Sequence, residues 1–311
     1  MLARALLICF CVFKFHCYFL GVSNMRKSLL SLAVLSALCV PTLSFAADTV
    51  AATEAAATPD WAFPMTVGYV SDYIFRGQSQ SWGKPSLQAS LEANHKSGAY
   101  AGLFMASVSD KWLPGASLET DMYAGFRNTI ASTEIGYDVG GIYYMYPGAD
   151  WNKSVFPSNK NSLDTLELYA ALSYKWISVK AGRSMTEYFG WNNNNSGING
   201  GFGNDLTAGV KPGGSTRGSY FYEANASYEV MPSWVASGQV GRQVVADAVG
   251  LDLTYYKVGV SKTFTNSWTV GGYYSGTNEP AAYKNFASLS NSGGKSNVAK
   301  DQVFVTIVKS F

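Results

Sequence analysis

Carboxylates and bases recur at alternate positions between residues 64 and 311. Glu119 and Asp121 stand two apart, and the wider set is Asp72, Glu92, Glu134, Asp138, Glu167, Glu223 and Glu229 against Arg76, Lys96, Lys175, Lys180 and Lys257. A carboxylate pair can act as general acid and base in glycoside hydrolysis. A spacing of two, however, is what a pleat produces on one face of a strand, and no neighbouring loop reads as a substrate wall. Nucleophilic catalysis has one histidine to draw on beyond residue 46, His95, with no serine motif to join it. The four cysteines (Cys9, Cys11, Cys17, Cys39) all precede that point, so the remainder forms no disulfide and no histidine–cysteine metal site. Gly294-Lys295-Ser296 lacks the earlier glycine and the helix of a phosphate loop. No catalytic residue, cofactor or metal is expected.

These side chains need a scaffold, and composition narrows it. Charged residues make up 14% of the chain and aromatics another 14%, against about 25% charge in ordinary globular proteins, while mean hydropathy is +0.01. Met25-Arg26-Lys27, the apolar run Ser28 to Val40 and Ser44-Phe45-Ala46 read as a signal peptide over 25–46, cleaved after Ala46. Residues 1–24 are read as an upstream extension. A start placed ahead of Met25 and a longer signal both account for them, and the first is favoured because Met25 alone begins a complete signal. Arg4, Lys14, Arg26 and Lys27 fall in this segment and no acid does, so the whole-chain net charge of +2 becomes −2 for residues 47–311. Nothing in that balance suggests nucleic-acid binding. Residues 47–63 read as a flexible leader.

From residue 64 the pattern has period two. In Leu87–Asn94 the odd positions are apolar and the even positions polar; Tyr220–Glu229 repeats this with apolar even positions. Twelve such segments can be drawn: 65–75, 85–96, 99–108, 117–127, 133–146, 164–175, 177–188, 218–230, 234–244, 252–263, 268–277 and 301–311. The faces of 99–108 and 177–188 are ambiguous. Connections alternate short (97–98, 128–132, 175–176, 231–233, 264–267) and long (76–84, 109–116, 147–163, 189–217, 245–251, 278–300). This is the signature of an all-β, transmembrane antiparallel β-barrel of about 12 strands over 64–311, preceded by a signal peptide. Trp176, Trp234 and Trp268 each border a short turn, where a periplasmic aromatic belt would lie. Phe311 closes an amphipathic strand with Val303, Val305 and Ile307 on its face, which resembles the signal read by barrel-assembly machinery; Lys309 departs from a fully apolar outer face.

Several stretches resemble the TorF family of porin-like proteins, also catalogued as Gcw_chp and of unknown function. They are Ser71 to Gln80 (SDYIFRGQSQ), Tyr100-Ala101-Gly102, Glu119 to Gly125, Gly136 to Gly140, Tyr143 to Gly148 and Lys257 to Lys262. The resemblance implies an outer-membrane barrel and supplies no substrate.

A twelve-stranded barrel would be roughly 24 Å across between backbones, leaving a narrow passage. Its selectivity residues are expected to be Asp72, Arg76, Glu92, Glu119, Asp121, Glu134, Asp138, Glu167, Lys180, Glu223 and Lys257. The resulting expectation is passive diffusion of small hydrophilic solutes, neutral or weakly cationic, through an acid-leaning lumen in the bacterial outer membrane. Expected partners are outer-membrane lipid, barrel-assembly machinery and small hydrophilic solutes. Two alternatives stand beside it: a plugged structural or adhesive barrel acting through external loops, and an outer-membrane lipid hydrolase using His95.

Overall fold

Twelve strands close into one antiparallel ring in the computed structural model, which describes residues 59–155, 157, 162–196, 205, 207–290 and 293–311. The strands are β1 (Met65–Val70), β2 (Ser86–His95), β3 (Ala99–Ser107), β4 (Leu118–Thr129), β5 (Ile135–Met145) and β6 (Thr165–Tyr174). They continue with β7 (Ile177–Ser184), β8 (Tyr220–Met231), β9 (Trp234–Val244), β10 (Leu253–Thr263), β11 (Trp268–Thr277) and β12 (Gln302–Ser310). Each pairs with its sequence neighbour, and β12 pairs back onto β1 through Thr306↔Val70 to Ser310↔Thr66. Closure removes every free edge, the condition for a sheet to cross lipid. The signal segment 25–46, the extension 1–24 and leader residues 47–58 lie outside the described residues. Within the expected leader, Trp61–Ala62 pairs with His95 and Asn94 of β2.

Period-two alternation translates directly into two faces. Val67, Leu87, Leu91, Met122, Leu168, Leu172, Val240, Val258, Val303 and Val305 are exposed on the outside, the band that meets lipid. The two segments with ambiguous faces resolve cleanly. In β3, Tyr100, Phe104 and Ala106 point inward and are buried while Ala101 and Met105 face out; in β7, Lys180 and Ser184 point inward while Ile177, Val179 and Ala181 face out. Apolar residues sit on both faces of β3 because the interior itself is partly aromatic.

Inward tyrosines lie flat over glycines of the adjacent strand. An added Cβ on Gly102 would meet the Tyr123 ring at 2.3 Å, on Gly241 the Tyr255 ring at 2.4 Å, and on Gly259 the Tyr273 ring at 2.1 Å. These pairs are in or next to register (Gly102↔Tyr123, Gly241↔Tyr255, Gly259↔Tyr273). Each ring covers backbone that glycine would otherwise leave bare, and together they pin the strand register.

The short turns all fall at one end, and each carries one residue with positive φ: Gly98, Ser132, Lys175, Ser233 and Ser267. The long connections gather at the other end, where they fold into a buried aromatic cluster that includes Trp112, Trp151, Tyr188, Phe189, Trp191, Tyr283 and Phe286.

Candidate functional site

The first expected strand, 65–75, ends early. After Ser71, whose N–H still bonds Val305 O of β12, the chain leaves the wall, turns inward, and builds a miniature hairpin in which Ile74 pairs with Ser79 and Phe75 with Gln78. Arg76 and Gly77 form its tip with φ of 45° and 79°, the consecutive left-handed pair of a type I′ turn. Its base is tied by Asp72, whose Oδ1 accepts from the hydroxyls of Ser79 (2.6 Å) and Ser81 (2.8 Å). Burial pushes the Asp72 carboxyl above its ordinary value, against the lowering effect of those two hydroxyls.

The tip reaches the opposite wall. Arg76 Nη1 donates to Glu167 Oε1 on β6 (3.0 Å) and to Gln243 Oε1 on β9 (2.7 Å), and Nη2 donates to Glu167 Oε2 (2.7 Å). The guanidinium carbon lies 3.7 Å from the Phe221 ring centre on β8 and 4.7 Å from that of Phe75. A Cβ on Gly77 would meet Thr277 of β11 at 2.5 Å and Tyr255 of β10 at 2.8 Å. A loop that springs from β1 and β2 thus ends against β6, β8, β9, β10 and β11, crossing the lumen. Two-pronged Arg–carboxylate contact is the strongest fixed-geometry pairing available to side chains.

Around this fork the wall is acidic and phenolic. Tyr144 OH donates to Glu167 Oε2 (3.1 Å) and Tyr146 OH to Glu119 Oε1 (3.2 Å). Asp121 is fully buried opposite Tyr144. Among the described residues, neither Asp121 oxygen has a hydrogen-bond partner.

A second polar level lies nearer the short turns. Arg127 donates to Glu92 and Asn94, and its guanidinium stacks 4.4 Å from the Tyr100 ring centre. Tyr100 OH donates to Asp138 (2.6 Å) and bonds Tyr169 OH (2.5 Å). Glu223 accepts from Tyr255 OH (2.8 Å), Asn225 and Gln239. Lys180 Nζ sits 3.8 Å from the Tyr169 ring centre. Lys257 faces inward from β10 and is half-buried.

The expected lumen residues therefore divide. Glu92, Glu119, Asp121, Asp138, Glu167, Lys180, Glu223 and Lys257 point inward from strands. Asp72 and Arg76 are also interior, but on the inserted hairpin. Glu134 is a correction: it is 68% exposed in the β4–β5 turn, 3.8 Å from Lys175, because the strand begins at Ile135 and the turn releases residue 134 from the pleat. Lys96, which pairs with Asp60, and Glu229 sit on the same rim. Sequence reasoning missed Arg127, Gln243, Tyr144 and Phe221, each inward by the parity of its own strand, and Tyr146, buried one residue past the end of β5.

Trp176, Trp234 and Trp268 lie at the short-turn end; Trp176 and Trp268 are exposed and Trp234 is half-buried beside Lys262 (5.0 Å). Phe311 is exposed, and its N–H donates to Met65 O (3.0 Å). His95 Nδ1 lies 2.8 Å from Ser97 Oγ within the β2–β3 turn, and its ring meets Trp61; this contact closes a turn.

The closed ring with an apolar exterior and a charged interior defines a porin-like outer-membrane β-barrel with transmembrane strands. The chain belongs to the family described as bacterial protein of unknown function (Gcw_chp), which matches residues 54–311. Curated proteins include no match to it. Among solved structures it is similar to a KdgM porin in complex with disordered oligogalacturonate (8% identity, 80% of this chain and 99% of that one, TM-score 0.45). It is similar also to the NanC porin (10% identity, 80% and 98%, TM-score 0.45). A third is the COG4313 outer-membrane channel from Pseudomonas putida F1 (15% identity, 84% and 100%, TM-score 0.41). None of these likenesses bears on what passes through this chain.

Proposed function

We propose that this protein is a gated outer-membrane channel for small hydrophilic solutes, neutral or weakly cationic, whose closed state is set by the 71–85 hairpin. The observation that carries the reading is the crossing of the lumen by Arg76, latched to Glu167 and Gln243. A purely structural plug is built most stably from apolar contacts, since burying charges costs more than their pairing usually returns. Here the hairpin closes on a polar latch, and beneath it acidic and amide side chains continue toward the turn end: Glu223, Gln239, Asn225, Glu92 and Asn94. Carboxylates exceed bases at the upper level, which favours cations over anions.

The remaining assignments belong to this reading. Export uses the 25–46 signal, Trp176, Trp234 and Trp268 anchor the periplasmic interface, and Phe311 serves assembly. The protein is a TorF-type porin and has no enzymatic activity. Planar-bilayer recording tests it. The wild type should show rare openings and Arg76→Ala frequent ones, with cations carrying most of the current. Silence in both, with the barrel folded by heat-modifiable gel mobility, would end the channel reading. The plugged-barrel alternative, favoured by the aromatic loop cluster, would then stand.

A further inference from the structure

We propose that the cage around Arg76 is a recognition site for small guanidinium-bearing cations, the hairpin's own guanidinium being a built-in stand-in for the solute. This rests on the channel reading and names its substrate class. Three observations carry it. The first is the donor set. A bidentate carboxylate from Glu167, an amide oxygen from Gln243 and a ring face from Phe221 at 3.7 Å match a planar, five-donor cation on its edge and its face. A spherical or simple ammonium ion uses only part of that set.

The second is incomplete satisfaction. Both oxygens of the fully buried Asp121 have no hydrogen-bond partner among the described residues. Asp121 lies beside Glu119 and Glu167, so these open acceptors adjoin the carboxylate that holds the latch. Arg76, held on Glu167 and Gln243, bonds neither of them. A guanidinium free of the chain can shift to bond what Arg76 leaves bare, so exchange need not lose hydrogen bonds.

The third is a neighbouring space. A pocket lined by Phe75, Gln78, Gln80, Trp112, Trp151 and Phe189 lies within the loop cluster, and Phe75 touches the Arg76 guanidinium. The ring faces around it suit a partly desolvated organic cation.

In the resulting cycle a guanidinium solute enters from the loop side, takes Glu167 and Gln243, and releases the hairpin tip. The occupied site is also the open one. Nothing covalent changes.

The test is calorimetric titration of the detergent-solubilised folded barrel with agmatine, with butylammonium and urea as controls. Arg76→Ala, which vacates the cage, should bind agmatine about tenfold more tightly than the wild type, because no tethered competitor remains. Adding Glu167→Gln to Arg76→Ala should weaken binding by about tenfold or more, the worth of a charge-assisted pair. Gln243→Leu serves where the Glu167 variant fails to show a heat shift, and should weaken agmatine while leaving butylammonium unchanged. In bilayers, agmatine on the loop side should raise the open fraction of the wild type. A folded Arg76→Ala protein that binds no agmatine, or binds butylammonium equally well, overturns the proposal. Open channels without agmatine binding would defeat this site and leave the channel standing; agmatine binding in a barrel that never conducts would do the reverse.

Discussion

The two ends of the barrel interior solve the same packing problem with different materials. At the loop end the space is filled by a second layer of chain: the 71–85 hairpin and an aromatic cluster that includes Trp112, Trp151, Phe189 and Phe286. At the turn end it is filled only by side chains of the wall, Arg127 on Glu92, Tyr100 on Asp138, Gln239 on Glu223, with Asn94, Asn225 and Lys257 half-buried among them. The wall cannot move without breaking the ring of ladder bonds. The inserted layer can, because beyond the backbone bond of Ser71 N–H to Val305 O at its root, the hairpin meets the strands through side chains, its other backbone bonds being internal or to the long connections. Mobility in this fold belongs to what was added to the barrel rather than to the barrel.

The largest effect on opening should therefore come from one added side chain at the hairpin tip. Gly77→Val sets a branched Cβ where Thr277 and Tyr255 approach to 2.5 and 2.8 Å, at a φ of 79°. Overpacking together with left-handed strain should weaken docking by about 3 kcal/mol, roughly a hundredfold in the docked-to-free ratio. Bilayer recording should show a large rise in open fraction with the heat-modifiable gel shift retained. Loss of the shift would mean that the hairpin is part of the barrel's own stability, and the division drawn above would fail.

Trp112→Ala probes the aromatic layer away from the latch. Its ring meets Phe286 at 4.8 Å and Trp191 at 6.4 Å, and truncating such a buried ring costs about 3–5 kcal/mol. The loss should appear as protease cleavage confined to the long connections, with the strands protected. Cleavage within β2–β12 would show that the two layers unfold together.

The contrast between layers also explains what could be read in advance. Alternation located all twelve strands because a lipid face and an interior face impose period two whatever fills the lumen, and the short turns followed from strand closure. The hairpin escaped because Ile74-Phe75 extends the alternation of Met65–Val70: period two is the same for a wall strand and for a strand turned into the lumen. The local signal was Arg76-Gly77, a turn pair between two short extended stretches. Glu134 was misplaced for the opposite reason, parity having been carried one residue past the strand. Partnerships such as Arg76 with Glu167 and Gln243 span 91 and 167 residues, and no local pattern specifies which inward residue meets which across a barrel.

At the turn end a smaller response is expected. Glu92→Gln leaves Arg127 its Asn94 and Tyr100 contacts but removes a charge-assisted bond, about 2 kcal/mol. Replacing both partners, Glu92→Leu with Arg127→Met, should recover most of that loss, since no buried charge is then left unpaired. Urea-unfolding midpoints in lipid vesicles would measure both. The open fraction should stay at its wild-type value, and a change in gating from this pair would tie the lower level to the latch.

The smallest effect should come from Asp72. Its Oδ1 takes both serine hydroxyls, a role that an amide oxygen reproduces, and burial raises its affinity for a proton above that of an ordinary carboxyl of 3.8. The docked hairpin thus prefers the protonated acid. Its contribution to docking is fully present below 3.8 and is lost as pH climbs through the raised value. Asp72→Asn, fixed in the neutral form, should dock at pH 7 as well as or slightly better than the wild type, within about 1 kcal/mol, and should lose the part of the pH dependence that lies just above 3.8. Asp72→Ala, which removes the acceptor and strands Ser79 and Ser81, should open more often at every pH. Equal behaviour of the Asn and Ala variants in bilayer recordings would show that the base of the hairpin contributes nothing to closure and that the Arg76 end alone holds it.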